Sequence, residues 1–459
     1  MRATLQDVFR EHFGQYAKAH TLHAREHRAA YCISQCFQPA LGFHTLACPQ
    51  GHFTAVQPHA CRHRSCPRCA NAPRQQWLAT QLPKLLPCPH FHVVFTLPRV
   101  FVVLWQFNRA AMAQMLFDCA RTSLLDLCAD ERHLGAMPGL LMALHTWGRN
   151  LSHHPHVHCL VSAGGLDATD QWRACRPGFL LPLEPLRQLF RGRFLCALQL
   201  ALTHQRLRLP PHQDPQHLRC LINQQWRAHW NVQINKPYAH GRGVALYLAK
   251  YVKGGPLGSD RRLHLNNHAV SFAYFDHRDA KRKNLTLHPS EFIARVLWHA
   301  PPKGQHTTRQ AGLYATAHHR QHRHAHKHLA PQATPDKLTT LASHVIQAPT
   351  TPTPNCPTCQ SPLQRRYVRP TTHQRGEFSK PGTPPPSLLP EFDSSAPEIP
   401  AQAIGIKDLG AKFRVSCNGT FASVCTRLTC WRSFFKVVAC LSKSRTPDRR
   451  SSTPTAVSA

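Results

Sequence analysis

The sequence predicts an α+β fold: a central antiparallel sheet with flanking helices, preceded by a small zinc-binding module and followed by a disordered tail. Three observations carry this expectation. Between about residues 77 and 315, short runs of alternating apolar side chains interleave with longer runs in which apolar residues recur every three or four positions. These are the periods of strands and helices. Before that region, cysteines cluster at metal-ligand spacing. After Tyr314 the composition turns to His and Arg and then to Pro, Ser and Thr, which cannot build a core. The expected boundaries are 1–76, 77–320 and 321–459.

The N-terminal module is organised around metal. Cys48-Pro-Gln-Gly-His52 precedes Cys61-Arg-His-Arg-Ser-Cys66-Pro-Arg-Cys69. Structural zinc takes four Cys or His ligands in a tetrahedron, commonly as pairs separated by a few residues. Cys66 and Cys69, with two of Cys48, His52 and Cys61, make such a set; which two is left open. Scattered structural cysteines are the plainer explanation, and the crowding of candidates argues against it. Arg62, Arg64 and Arg68 surround the knuckle, so it is expected to contact nucleic acid as well.

In the central region, residues 91–97, closed by Pro98, read as a buried strand. Residues 101–128 read as one helix, and residues 140–145 and 157–162 as two more strands, the second ending at Gly164-Gly165. Residues 183–207 and 216–230 are expected to be helices, with a short strand at 231–234. A helical stretch follows Gly241-Arg-Gly243 and ends at Gly254-Gly255. Farther on, residues 318–328 are expected to be a solvated basic segment and residues 330–400 mostly linker. Cys356-Pro-Thr-Cys359 is a lone CxxC there, at most half of a second zinc knuckle.

Lys and Arg number 56 against 22 Asp and Glu, a formal net charge of +34 spread along the whole chain. That distribution suits a broad polyanion-binding surface. No apolar run approaches the ~20 residues of a membrane helix, and the N-terminus lacks the apolar core of a signal peptide. With 19 cysteines and no secretion signal, the expected setting is a reducing cytoplasm, with no membrane and no small-molecule partner. Acidic residues are scarce. Asp118, Asp126, Asp130, Asp167 and Asp170 show no diagnostic spacing, which argues against a carboxylate-based two-metal nuclease and for metal held by histidine.

The histidines that matter lie in His154-Pro-His-Val-His158. His156 and His158 flank one residue in an alternating stretch, so a strand would turn both to one face, where two imidazoles can hold a divalent ion. Tyr247 and Tyr251 stand four apart in the helical stretch, one turn apart on one face. With 35 histidines a chance HxH is common, and His90-Phe-His92 is a second one. Two tyrosines at helical spacing are more often packing groups. Each signal alone is weaker than its plain explanation.

Taken in order, five stretches resemble the rolling-circle insertion-sequence transposases of the IS91 family, within the two-tyrosine HUH nucleases. They are residues 61–69, residues 91–98, Thr146-Trp-Gly-Arg-Asn-Leu-Ser-His-His-Pro-His-Val-His158, Tyr247-Leu-Ala-Lys-Tyr251, and residues 291–299 with Pro302-Lys-Gly304. The resemblance spans about residues 10–320. It implies an HUH-type sheet, His156 and His158 as the metal pair in preference to His90 and His92, and Tyr247 and Tyr251 as nucleophiles. It also implies Mg²⁺ or Mn²⁺ at the histidines and Zn²⁺ in the N-terminal domain. The implied substrate is single-stranded or hairpin DNA at element ends, in a bacterial nucleoid. Lys250 and Lys253, beside the tyrosines, are expected to hold phosphates. A third metal ligand is required and the sequence does not name it. His52 stands where many members carry a second cysteine, and residues 305–314 depart from the aromatic-rich family pattern. Two other classes share some of these features: a plasmid replication initiator or relaxase, and a non-catalytic zinc-dependent DNA-binding protein.

Overall fold

Thr4 and Asp7 open the first helix by capping one another. The Thr4 hydroxyl oxygen accepts from the Asp7 N–H, and the Asp7 carboxylate accepts from the Thr4 N–H at 2.9 Å. The structure is a computed structural model. It describes residues 2–330, except 212, 240, 241, 253, 259–261, 267, 277, 278 and 303, together with residues 354–368.

Strand β1 (Arg2–Ala3) leads into α1 (Leu5–Ala19) and α2 (Ala24–Gln35), then the hairpin β2 (Phe43–Ala47) and β3 (Thr54–Pro58), and α3 (Asn71–Gln81). Next come β4 (His90–Thr96), α4 (Val102–Phe107), α5 (Arg109–Ala129), β5 (Met137–Trp147), β6 (His153–Leu166) and β7 (Trp172–Ala174). Helices α6 (Leu183–Thr203) and α7 (Pro215–Gln225), strand β8 (Val232–Ile234) and helix α8 (Arg242–Val252) follow. The remainder is β9 (Leu263–Leu265), β10 (Val270–Asp276), β11 (Lys281–Leu287), α9 (Pro289–Leu297), β12 (Thr308–Gly312), α10 (His319–Leu329) and β13 (Gln364–Val368).

The central sheet runs β12-β5-β6-β4-β8, with β7 paired to β6, and every pairing is antiparallel. Its two faces are set by the two-residue period of a strand. One face carries Phe91, Val93, Phe95, Leu140, Met142, Leu144, Val157, Cys159 and Val161 into the largest core, against α5 and α6. The other face carries Leu141, Ala143 and Leu160 against Ala245, Leu248, Ala249 and Val252 of α8 and Trp77 and Leu78 of α3. The fold is therefore α+β with antiparallel sheets, as the alternation indicated.

The expected single helix over residues 101–128 is broken at Asn108. Its side-chain amide donates to the carbonyls of Leu104 and Arg208, and its oxygen accepts from the Arg208 N–H at 2.8 Å. A short polar side chain that bonds backbone in this way competes with helix continuation. Elements and contacts also run across the expected limits at residues 76 and 320. Residue 76 falls inside α3, and α1 and α2 share a core with α9 and β10, through Phe9, Phe13, Phe272, Phe292 and Ile293. Arg2 and Ala3 of β1 pair with β9 in the sheet β1-β9-β10-β11. Residue 320 falls inside α10, and residues 364–368, expected in a disordered tail, pair with β2 in a sheet ordered β13-β2-β3. Among the described residues, no helix is long and apolar enough to cross a membrane.

Candidate functional site

His145, His156 and His158 converge because of register. β5 and β6 pair His145 with His156 and Ala143 with His158, so the three rings share the sheet face that α8 covers. One ligand nitrogen from each lies within 4.8 Å of the other two. The His145 and His158 ring centroids are 4.0 Å apart, and those of His156 and His158 are 4.7 Å apart. All three side chains are buried. Burial pushes the imidazoles down, His156 to about 3 and the other two well below the ordinary value, so all three are neutral and can act as ligands.

Hydrogen bonds fix how two of these rings present themselves. His156 Nδ1–H donates to the His154 carbonyl at 2.5 Å, which leaves Nε2 with a lone pair. His158 Nδ1 lies 2.7 Å from His92 Nε2. For His158 to offer its Nε2 lone pair, its proton must sit on Nδ1 and be donated to His92. The His92 proton then sits on Nδ1, 3.2 Å from Asn235 Nδ2, a pairing that requires the Asn235 amide to be turned so that its oxygen accepts. This is the outer support that metal-binding histidines usually have. His90 has a different role: its Nδ1–H donates to the Cys88 carbonyl at 2.8 Å, and its Nε2 lies 2.6 Å from the Tyr314 hydroxyl.

The donor chemistry of the three-histidine group suits a divalent ion, and among the described residues no carboxylate is grouped with it. Asp118, Asp126, Asp130 and Asp167 are each paired with an arginine: Arg309, Arg193, Arg132 and Arg173 respectively. Tyr247 and Tyr251 lie on α8, on the same side of the sheet as the three histidines. The side chains of Tyr247, Lys250 and Tyr251, and the whole of Lys253, lie outside the described residues.

The sulfur ligands divide differently from expectation. Cys61, Cys66 and Cys69 are joined by Cys36, and their Sγ atoms lie within 4.8 Å of one another. Cys48 and His52 are not part of this set. They stand at the end of the β2–β3 hairpin, grouped with Cys356 and Cys359, so the expectation that one of them completes the Cys66–Cys69 set is corrected. Within the four-thiol group, Cys36 Sγ and Cys61 Sγ lie 3.4 Å and 3.6 Å from Cys69 Sγ. Tetrahedral zinc at ~2.3 Å from each sulfur requires a spacing of about 3.8 Å, so the group fits it. The missed signal was Cys36 itself, placed at the end of α2 and brought back to the knuckle by the helix's packing against α1.

The arginines around the knuckle also separate. Arg62 and Arg68 are exposed, and Arg68 lies over the Phe37 ring and donates to Gln6 Oε1 at 3.3 Å. Arg64 is turned inward. Its guanidinium donates to the Val252 carbonyl at the end of α8 at 3.0 Å and to Thr307 Oγ1 at 3.4 Å, which joins the knuckle to α8. Gly255 sits against Ser65 so closely that a Cβ would lie 3.0 Å from the Ser65 carbonyl oxygen.

Comparison with known proteins gives the same outline. The family described as "Putative transposase" matches residues 139–323, and the one described as "Transposase zinc-binding domain" matches residues 8–97. A putative transposase of Sinorhizobium fredii is 36% identical over 323 residues, which covers 69% of this chain and 81% of the relative. The transposase for insertion sequence element IS801 of Pseudomonas savastanoi pv. phaseolicola is 33% identical over 269 residues, covering 56% of this chain and 62% of the relative. No solved structure matches the chain.

Proposed function

Since this chain belongs to the IS91 family of transposases and carries that family's N-terminal zinc-binding domain, we propose that it cleaves and rejoins single-stranded DNA at insertion-sequence ends through a 5′-phosphotyrosine. The observation that carries the proposal is the register that gathers His145, His156 and His158 on the sheet face covered by α8, the helix of Tyr247 and Tyr251.

His156, His158 and His145 would hold a divalent ion, with His145 as the ligand the motif does not name. When bound there, such an ion would supply Lewis-acid stabilisation of the scissile phosphate and of charge on the leaving 3′ oxygen. Of the two expected ions, Mg²⁺ takes oxygen ligands and keeps its waters, so Mn²⁺, a first-row transition ion, is the better match to three imidazole nitrogens. A free tyrosine, with a pKa of about 10, is a poor nucleophile at neutral pH. Tyr247 or Tyr251 gives its proton to solvent, which returns one to the departing 3′ oxygen, and attacks phosphorus. A phosphorus–oxygen bond to the tyrosine forms as the bond to the 3′ oxygen breaks, and the 3′ end leaves as a hydroxyl. The bond energy is kept in the covalent intermediate for rejoining. Two tyrosines allow a second end to be taken before the first is released. The dispersed Lys and Arg hold the backbone.

The test uses labelled single-stranded element ends with Mn²⁺. A His156→Ala/His158→Ala variant should lose cleavage and keep binding to the same DNA within a few-fold. Cleavage at the unmodified rate in that variant contradicts the assignment.

A further inference from the structure

We propose that Cys48, His52, Cys356 and Cys359 form a second zinc centre, distinct from the four-thiol centre, that fastens the chain after α10 back onto the N-terminal hairpin. The four ligand atoms lie within 4.8 Å of one another. Cys48 Sγ is 3.4 Å from Cys359 Sγ and 3.8 Å from His52 Nδ1. Ligands about 2.0–2.3 Å from a tetrahedral zinc stand about 3.3–3.8 Å apart, so these distances fit. They are too long for a disulfide, whose sulfurs lie about 2.05 Å apart.

Each pair is presented by a tight turn. In the first, the Gly51 N–H donates to the Cys48 carbonyl at 3.0 Å, the Cys48 N–H donates to the Phe53 carbonyl at 2.8 Å, and Gly51 takes a φ of 78°. In the second, the Gln360 N–H donates to the Cys356 carbonyl at 2.9 Å, the Cys356 N–H donates to the Ser361 carbonyl at 2.8 Å, and Gln360 takes a φ of 59°. Two knuckles facing one another beside a three-stranded sheet make a zinc ribbon. Here its halves are 311 residues apart from Cys48 to Cys359.

The packing explains why a metal is required. Among the described residues, the cluster beneath this sheet has four buried members, Leu46, Cys48, Cys356 and Leu363, with Phe53 and Cys359 packed against it, and three of these six are proposed ligands. So small an apolar cluster cannot order three strands by burial alone, and small modules of this kind draw their folding energy from metal. The lone CxxC of the sequence thus gains its partner pair through the fold.

Elemental analysis of the reduced, full-length protein should find two zinc ions per chain. The Cys356→Ser/Cys359→Ser variant should hold one. A folded wild-type chain with one zinc overturns the proposal, and so does a variant that keeps both. If that variant fails to fold, a His52→Cys variant loaded with Co²⁺ decides. Changing one ligand from nitrogen to sulfur should strengthen the thiolate-to-cobalt absorption, and an unchanged spectrum overturns the assignment.

Discussion

His92 and His90 differ by two positions on one strand, and their partners give them opposite roles. His92 Nε2 meets His158 Nδ1 at 2.7 Å, whereas His90 is bound to the Cys88 carbonyl and the Tyr314 hydroxyl. Removing an outer partner of a metal-binding histidine typically costs about 10–100-fold in metal affinity. His92→Ala should therefore weaken Mn²⁺ binding by about 10–100-fold in titration calorimetry, and His90→Ala should lower stability with little change in Mn²⁺ affinity. Equal effects of the two substitutions on the metal would contradict this division. The sequence shows both as one HxH repeat, because which imidazole a neighbouring strand meets depends on register, and register is long-range. His145 was hidden for the same reason. Its strand was legible from alternation, but nothing local says that it pairs with His156.

The link between elements that matters most runs from the zinc knuckle to α8. Arg64 donates to the Val252 carbonyl, and the Gly255 backbone packs on Ser65, so the knuckle supports the C-terminal end of the helix that carries the two tyrosines. Leaving a buried carbonyl without its donor costs about 1–3 kcal/mol. Arg64→Met should lower stability by about that amount and slow DNA strand transfer, while zinc content stays unchanged. If strand transfer is unaffected, the knuckle does not position α8. Most elements were legible: β4, β5, β6, β8, α6 and α8 follow from their periods. What was not legible came from contacts between distant segments. Asn108 breaks a helix by bonding residue 208, β13 joins a sheet whose other strands lie in the N-terminal module, and Cys36 completes a knuckle from another helix. The arginines around the knuckle were legible as charge, but not the hydrogen bond by which Arg64 reaches the end of α8.

At the scale of the whole molecule, buried neutral histidines make stability depend on pH. Burial holds His92 at about 4, His153 at about 3 and His156 at about 3, with His145, His158 and His299 also depressed. An unfolded chain protonates its histidines near pH ~6.5, so it binds more protons than the folded chain below that point. The stability is present above about pH 6.5 and is lost progressively as pH falls toward 4. The Tm measured by calorimetry should drop between pH 7.5 and pH 5, and a flat or rising Tm would contradict the burial of these rings. The central claim, that α8 supplies the nucleophiles to the three-histidine face, is tested most directly by a covalent-adduct assay on Tyr247→Phe/Tyr251→Phe. The substitution removes only two hydroxyl groups, so the variant should fold, bind Mn²⁺ and bind single-stranded element ends as the wild type does. It should form no covalent protein–DNA band, because no other atom of α8 can make that bond. A band of wild-type intensity from the double variant would place the chemistry elsewhere and leave α8 a packing element.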